Sequence, residues 1–450
     1  MKTEMKKTLF MVAAVALAAA VSCNKEGLGD NGEGQAPSSI VFTAGVETKT
    51  TLVDNGDKTY DIHWVNGDAI VVDGVTFTTE DDGAKAFFYT ESAFTADNDY
   101  YAIYPASAGT SFESITVPAV QTAKAGDFHA AAVVSVAKSA TTSLDFKNVT
   151  SILKFQVPAP AETVTISSTS ALAGEVSVDY NNGEPAWTAK NTVNEVTVNG
   201  PFETGKDYYV AVLPGEKADF EVRLDGYYSK SVTSVNPKRS KVMAMGTLPE
   251  KVVRFYVKNE YTHFDMNLYT WDASENKLSG AWPGTPMNYD KAKGAYYYNL
   301  PVSLVGTTIN FIVNNTVDQT GDLTAKISGP EYNYDELNWK WLYFKPNSNW
   351  KQSGAWFAAY FWGSYGDKWK KMVGPDSNAI YGCVIVPNST GMKFVRMNSA
   401  DTNSLNWEND WNGTADLTIP TGDGNYYFKA TDNWWDNDTG SWVKYELPTK

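Results

Sequence analysis

The chain has 450 residues, a formal net charge of −15 and 43% hydrophobic residues, so about three domains with ordinary globular cores are expected. An acidic chain without a basic cluster is poorly matched to phosphate backbones, which excludes nucleic-acid binding as a function class. The only cysteines are Cys23 and Cys383, and His63, His129 and His263 lie far apart, so neither a disulfide framework nor a metal or other cofactor site built from such residues is expected. Of the 15 tryptophans, only Trp64 and Trp187 precede residue 271; the other 13 lie from Trp271 to Trp442. The two halves are therefore composed for different tasks.

Residues 1–23 read as an export signal. Lys2, Lys6 and Lys7 precede an apolar stretch, Leu9 to Val21, that is short for a membrane span. Ala20-Val21-Ser22-Cys23 resembles a lipoprotein processing site, with Ala instead of Leu three positions before the cysteine. The resemblance implies acylation of Cys23, a stable lipid anchor and, with Asn24 following, the outer membrane of a Gram-negative cell. Residues 24–38 are polar and Gly-rich and read as a flexible tether.

From Ser39 to about Pro249, strand-sized apolar runs such as Ile70-Val71-Val72, Tyr100 to Tyr104, Ser151 to Val157 and Tyr208 to Leu213 alternate with Gly, Asn, Asp and Pro. This spacing predicts antiparallel sandwiches, and no long segment keeps a helical period. Lys49-Thr50-Thr51-Leu52, Trp64 with Gly67-Asp68, Tyr101-Ala102-Ile103-Tyr104-Pro105, Phe146-Lys147-Asn148-Val149, Tyr208 to Pro214 and Met245 to Pro249 together resemble the fimbrillin-like proteins of glycan-scavenging Gram-negative bacteria. The resemblance implies two consecutive transthyretin-like sandwiches, at 39–145 and 146–250, serving as spacer domains because another module follows. One motif inside them, Gly200 to Lys206, has the spacing of a phosphate-binding loop. It is followed by Asp207 where a Ser or Thr is needed, and then by a strand pattern where a helix is needed, so a turn before a strand is expected.

The Trp-rich half repeats itself. Asn267-Leu268-Tyr269-Thr270-Trp271, Trp282, Met287, Tyr296 to Tyr298, Asn310-Phe311-Ile312-Val313 and Asp322-Leu323 recur in order as Ala359-Tyr360-Phe361-Trp362, Trp369, Met372, Tyr381, Lys393-Phe394-Val395-Arg396 and Asp416-Leu417, with offsets near 90. Two copies of one β-sandwich are expected, at 251–335 and, diverged, at 336–450. Side chains alternate along a strand, so Tyr269 and Trp271 share one face while Met266, Leu268 and Thr270 occupy the other; Tyr360 and Trp362 oppose Ala359 and Phe361 in the same way. By pattern alone the paired aromatics fit either a core or an outward platform, since Trp and Tyr are often buried.

Residues 253 to about 328 resemble a starch-binding module of carbohydrate-binding family 26, through Leu268 to Asp272, Gly280-Ala281-Trp282-Pro283-Gly284, Ile309 to Asn315 and Gln319 to Leu323. The resemblance implies the outward reading. Tyr269, Trp271 and Trp282 form a platform for α-1,4-linked glucose, Asn315 and Gln319 are hydrogen-bonding candidates, and by the repeat Tyr360, Trp362 and Trp369 form a second platform that lacks the Pro-Gly pair. Trp407 and Trp411 sit in an Asn- and Asp-rich stretch read as a loop matching no calcium-loop spacing, and Trp434-Trp435 cannot share one strand face.

The sequence thus points to an all-β chain of tandem β-sandwiches, two fimbrillin-type and two starch-binding-module-like. The expected function is a non-catalytic surface lipoprotein that binds starch or related α-glucan and supports an outer-membrane glycan transporter complex. The alternative is a fimbrial subunit or adhesin whose Trp-rich half meets another glycan or a protein. Four sandwich-sized segments leave no room for a (β/α)₈ hydrolase barrel.

Overall fold

The computed structural model describes residues 40–46, 51–54, 60–259, 262–337, 339–364, 366–432 and 436–448. The leader with Cys23, the tether, Lys49, Thr50, Trp434 and Trp435 lie outside the described residues. Within them the protein is all-β, and its helical segments are single 3₁₀ turns such as Ala106–Ala108 and Gln352–Gly354. Four large hydrophobic cores succeed one another along the described residues.

The first core is built around Trp64. Its ring meets Phe88 and Tyr104 edge-on at 5.0 Å and Phe146 at 5.6 Å. Its Nε1 donates to the Ala44 carbonyl, so the one polar atom of a fully buried indole is satisfied. This core lies on a seven-stranded sheet that includes Phe42–Val46, Tyr100–Tyr104 and Ser143–Asn148. The strand Ser143–Asn148 runs straight through the division expected at residue 145, because Leu144, Phe146 and Asn148 alternate inward as one unit. A second departure is that Ser114–Val117 pairs with Ala173–Asn181, and Val120–Thr122 with Glu195–Phe202. Ile115 and Val117 therefore fill the second core beside Val164, Ile166 and Val210. The first segment thus lends strands to the second sandwich. Alternation shows that Ile115 and Val117 point inward but not which sheet receives them.

The loop-like motif at Gly200 to Lys206 is a strand end and a turn. Strand Glu195–Phe202 passes through Gly200-Pro201, and Tyr208–Val212 follows as the next strand. There is no helix start here to face a phosphate.

The Trp-rich half continues the second sandwich's sheet, since Tyr227–Val235 pairs with Val252–Lys258 at Tyr228 and Val252. Beyond that junction the repeat is visible in the topology. The first copy orders Thr285–Pro286, Asn267–Trp271, Thr308–Asn314 and Leu323–Lys326 in one sheet; the second orders Lys368–Lys371, Trp356–Gly363, Ser389–Met397 and Asp410–Gly413. Opposite them, Val252–Lys258 pairs antiparallel with Ala295–Pro301 and parallel with Glu331–Tyr334, and Trp341–Lys345 does the same with Tyr381–Val384 and Asn425–Lys429.

The register corrects one match made from sequence. Trp271 lies opposite Asn310, and Trp362 lies opposite Gly391. The counterpart of Asn310 is thus Gly391, two positions before Lys393. The sequence match favoured the aromatic Phe394 as a partner for Phe311, whereas pairing puts Met392 there, facing Leu417 as Phe311 faces Leu323.

Candidate functional site

The Asn267–Trp271 strand divides its side chains as alternation requires. Met266, Leu268 and Thr270 are 0% exposed, in or beside the third core, while Tyr269 and Trp271 stand half-buried on the outer face. Their ring centres are 5.3 Å apart with planes inclined 40°. Trp282 reaches the same face, edge-on to Tyr269 at 5.5 Å, and remains 49% exposed.

Trp282 is not on the strand but on a turn, and the turn is tightly specified. Gly284 has φ of +90°, and a Cβ there would collide with the Leu268 carbonyl, so only glycine lets the chain close onto the strand. The Gly284 N–H donates to the Ala281 carbonyl at 2.8 Å, and the Thr285 hydroxyl donates to the Ser279 carbonyl at 2.8 Å. From the neighbouring strand, the Asn314 side-chain amide donates to the Pro283 carbonyl at 2.8 Å, while its oxygen accepts from Asn267 at 3.3 Å. Asn314 is fully buried. It is a positioning residue that residue type and spacing did not single out, since its role depends on a partner on a different turn.

The two polar candidates part ways. Asn315 is 5% exposed, and its oxygen accepts the Val317 and Asp318 N–H groups at 3.0 and 2.6 Å, so it shapes its own turn. Gln319 is exposed beside that turn, its backbone bridged to Asn314. Of the two, only Gln319 presents its side chain to solvent next to the platform strand. Asp318, buried within the same turn, pairs with Lys370 of the second copy, one residue from Trp369.

In the second copy Ala359 and Phe361 are 0% exposed, and Tyr360 and Trp362 are half-buried on the outer face. Trp369 is directly opposite Tyr360 in the adjacent strand, with rings 4.9 Å apart, so this platform needs no Pro-Gly turn to bring its third ring in. Trp362 lies 6.1 Å from Tyr360 and over Gly391, where a Cβ would strike the indole. The Tyr360 hydroxyl donates to Asp367, and that carboxylate pushes the phenol's pKa upward.

A fourth ring comes from the Asn- and Asp-rich loop. Trp407 stands 4.7 Å from Tyr360 and 4.6 Å from Trp369, and is 47% exposed. Trp411, by contrast, stacks under the Arg396 guanidinium at 4.3 Å and belongs to the scaffold. Each copy therefore gathers partly exposed aromatics over one sheet, the first with exposed Gln319 and the second with Asp367 and Lys393 beside it. Such a surface can cover the apolar C–H face of a pyranose while polar neighbours bond its hydroxyls.

Residues 253–325 match the family Starch-binding module 26. Solved structures similar to this chain include CBMbc (family CBM26) from Eubacterium rectale in complex with maltoheptaose, 16% identical, covering 44% of this chain and 99% of that chain with a TM-score of 0.17. An α-glucan-binding streptococcal virulence factor is 16% identical over 42% of this chain and 97% of its own, with a TM-score of 0.16. A fimbrial protein from Bacteroides ovatus is 13% identical over 54% of each chain, with a TM-score of 0.23. No curated protein matches the chain.

Proposed function

We propose that this protein is a non-catalytic, lipid-anchored surface protein of the outer membrane that captures starch or related α-1,4-glucans and presents them to uptake machinery. The observation that carries the reading is the duplicated strand whose inner residues are fully buried while Tyr269 and Trp271, and again Tyr360 and Trp362, are held outward. Partly exposed aromatic rings gathered on one face mark a surface for an occupant. Recurrence of the same split in two copies argues for a common occupant, and the family matched over 253–325 supports a starch-type glucan as that occupant.

In this reading the sandwiches within 39–250 hold modules 251–335 and 336–450 away from the membrane, with Cys23 as the lipidated residue. Two sites on one chain strengthen attachment to a polymer through effective concentration, without either being tight. The acidic surface is no obstacle, because the polysaccharide is uncharged.

Affinity electrophoresis in native gels containing amylopectin tests this. The protein is expected to be retarded, and the triple substitution of Tyr269, Trp271 and Trp282 by Ala is expected to reduce retardation without abolishing it. Unretarded migration of the unaltered protein in every α-glucan gel contradicts the binding function, and release of reducing sugar by the pure protein contradicts the non-catalytic part.

A further inference from the structure

The outer face of the second copy's platform sheet carries a loop that the first copy lacks. Residues 398–409 cross it, and Leu405 seats on Ala358, Val395 and Met397, all 0% exposed. The loop's two ends are closed by the Asn398 N–H donating to the Asn409 carbonyl at 2.9 Å. It is tied to the sheet by Trp356, whose Nε1 donates to the Asn398 and Asp401 carbonyls at 2.9 and 3.1 Å, and by Lys371, which donates to the Thr402 carbonyl at 2.7 Å. The Asn409 amide adds bonds to the Asp401 and Ser404 carbonyls. In the first copy the corresponding segment, Asn315 to Asp322, contains no aromatic residue.

All of this fixes one half-exposed indole. Trp407 follows Leu405 by two residues and stands against Tyr360 and Trp369 with ring planes inclined 66° and 62°; Tyr360 and Trp369 are themselves inclined 55°. Three rings so inclined form a corner, not a flat platform. A flat, extended chain can lie against only one of them. A chain whose successive rings turn relative to one another, as α-1,4-linked glucose does, can lay different rings against different walls. Because the loop's own hydrogen bonds and the seating of Leu405 hold it against the sheet, contact with Trp407 costs little further entropy.

Resting on the α-glucan reading of the second copy, we propose that Trp407 is a fourth sugar-contacting aromatic. It gives the second site an additional glucosyl subsite, so that this site reads a longer stretch of curved α-glucan than the first. The test starts from protein carrying Trp271→Ala and Trp282→Ala, which leaves the second site as the binder, titrated calorimetrically with maltotriose and maltoheptaose. Adding Trp407→Ala is expected to weaken maltoheptaose on the order of tenfold and to narrow the preference for the longer sugar. Trp407→Phe keeps an aromatic face and is expected to stay within about threefold of its parent, since loss on truncation reports the missing ring. Unchanged maltoheptaose affinity in Trp407→Ala overturns the role of Trp407 while leaving the second site intact. A parent that binds neither sugar removes the second site, and this proposal with it.

Discussion

Gly284 decides where Trp282 stands. Its positive φ and the proximity of the Leu268 carbonyl leave no place for a Cβ. Gly284→Ala is expected to cost about 1–3 kcal/mol in urea unfolding and to weaken the first site although residue 284 itself touches no sugar. Asn314→Ala tests the same positioning from the other side. It removes the bond to the Pro283 carbonyl and leaves the Asn267 amide unpaired in a buried place. A stability loss of about 1–3 kcal/mol is expected, together with weaker maltoheptaose binding in the first site and unchanged binding in the second. At this scale the sequence was informative where chemistry follows strand parity. Parity put Tyr269, Trp271, Tyr360 and Trp362 on the face opposite recognisable core residues, and the resemblance to a starch-binding module turned that face outward. Trp407 could not be placed in this way, because its position is fixed by Leu405 and by backbone bonds across a loop, to which no periodicity applies. Asn315 and Gln319 looked equivalent as amides; only the local turn distinguishes the one that caps its own backbone from the one that faces solvent.

At the scale of the element, the platform strands are held by the residues beneath them. Leu268 is fully buried in the third core, so Leu268→Ala is expected to destabilise by about 2–5 kcal/mol in denaturant unfolding. The two copies share strand order and direction, but their registers show how each accommodates its aromatics. Asn310 faces Trp271, whereas Gly391 lies under the Trp362 indole. Gly391→Asn, which restores the first copy's residue, is expected to displace Trp362 and weaken the second site alone, measured by titration in the Trp271→Ala, Trp282→Ala background. The repeat itself was legible because aromatic spacing survives divergence. The true alignment of Lys393 was not, because matching Phe394 to Phe311 satisfies residue type while strand pairing follows backbone geometry. The pairing of Ser114–Val117 with the second sandwich was hidden for a similar reason: an inward-facing Ile and Val suit either sheet.

At the scale of the molecule, the junction between the second sandwich and the first Trp-rich copy is a polar and aromatic stack. The Arg254 guanidinium lies between Tyr228 at 3.9 Å and Tyr297 at 4.5 Å and pairs with Glu221 and Asp290. Glu331 accepts from Lys293 at 2.6 Å, from Tyr228 and from Arg223. Burial alone would raise the Glu331 carboxyl, but these partners hold it below its ordinary value of 4.5. A depressed folded-state value means that the contribution is present above pH 4.5 and is lost as pH falls through the folded value. The thermal midpoint is therefore expected to drop on acidification below about pH 4.5, the ordinary glutamate value, and Glu331→Gln is expected to flatten that limb. A junction of this kind ties the first Trp-rich copy to the second sandwich through buried aromatic and charged groups as well as through the shared sheet.

The central claim is that each copy in the Trp-rich half is a sugar site. Calorimetric titration of the protein with maltoheptaose measures this directly through its stoichiometry. The account predicts two sugars per chain, falling to one when Trp271 and Trp282 are replaced by Ala. The absence of saturable binding, or a stoichiometry that those substitutions leave unchanged, contradicts it.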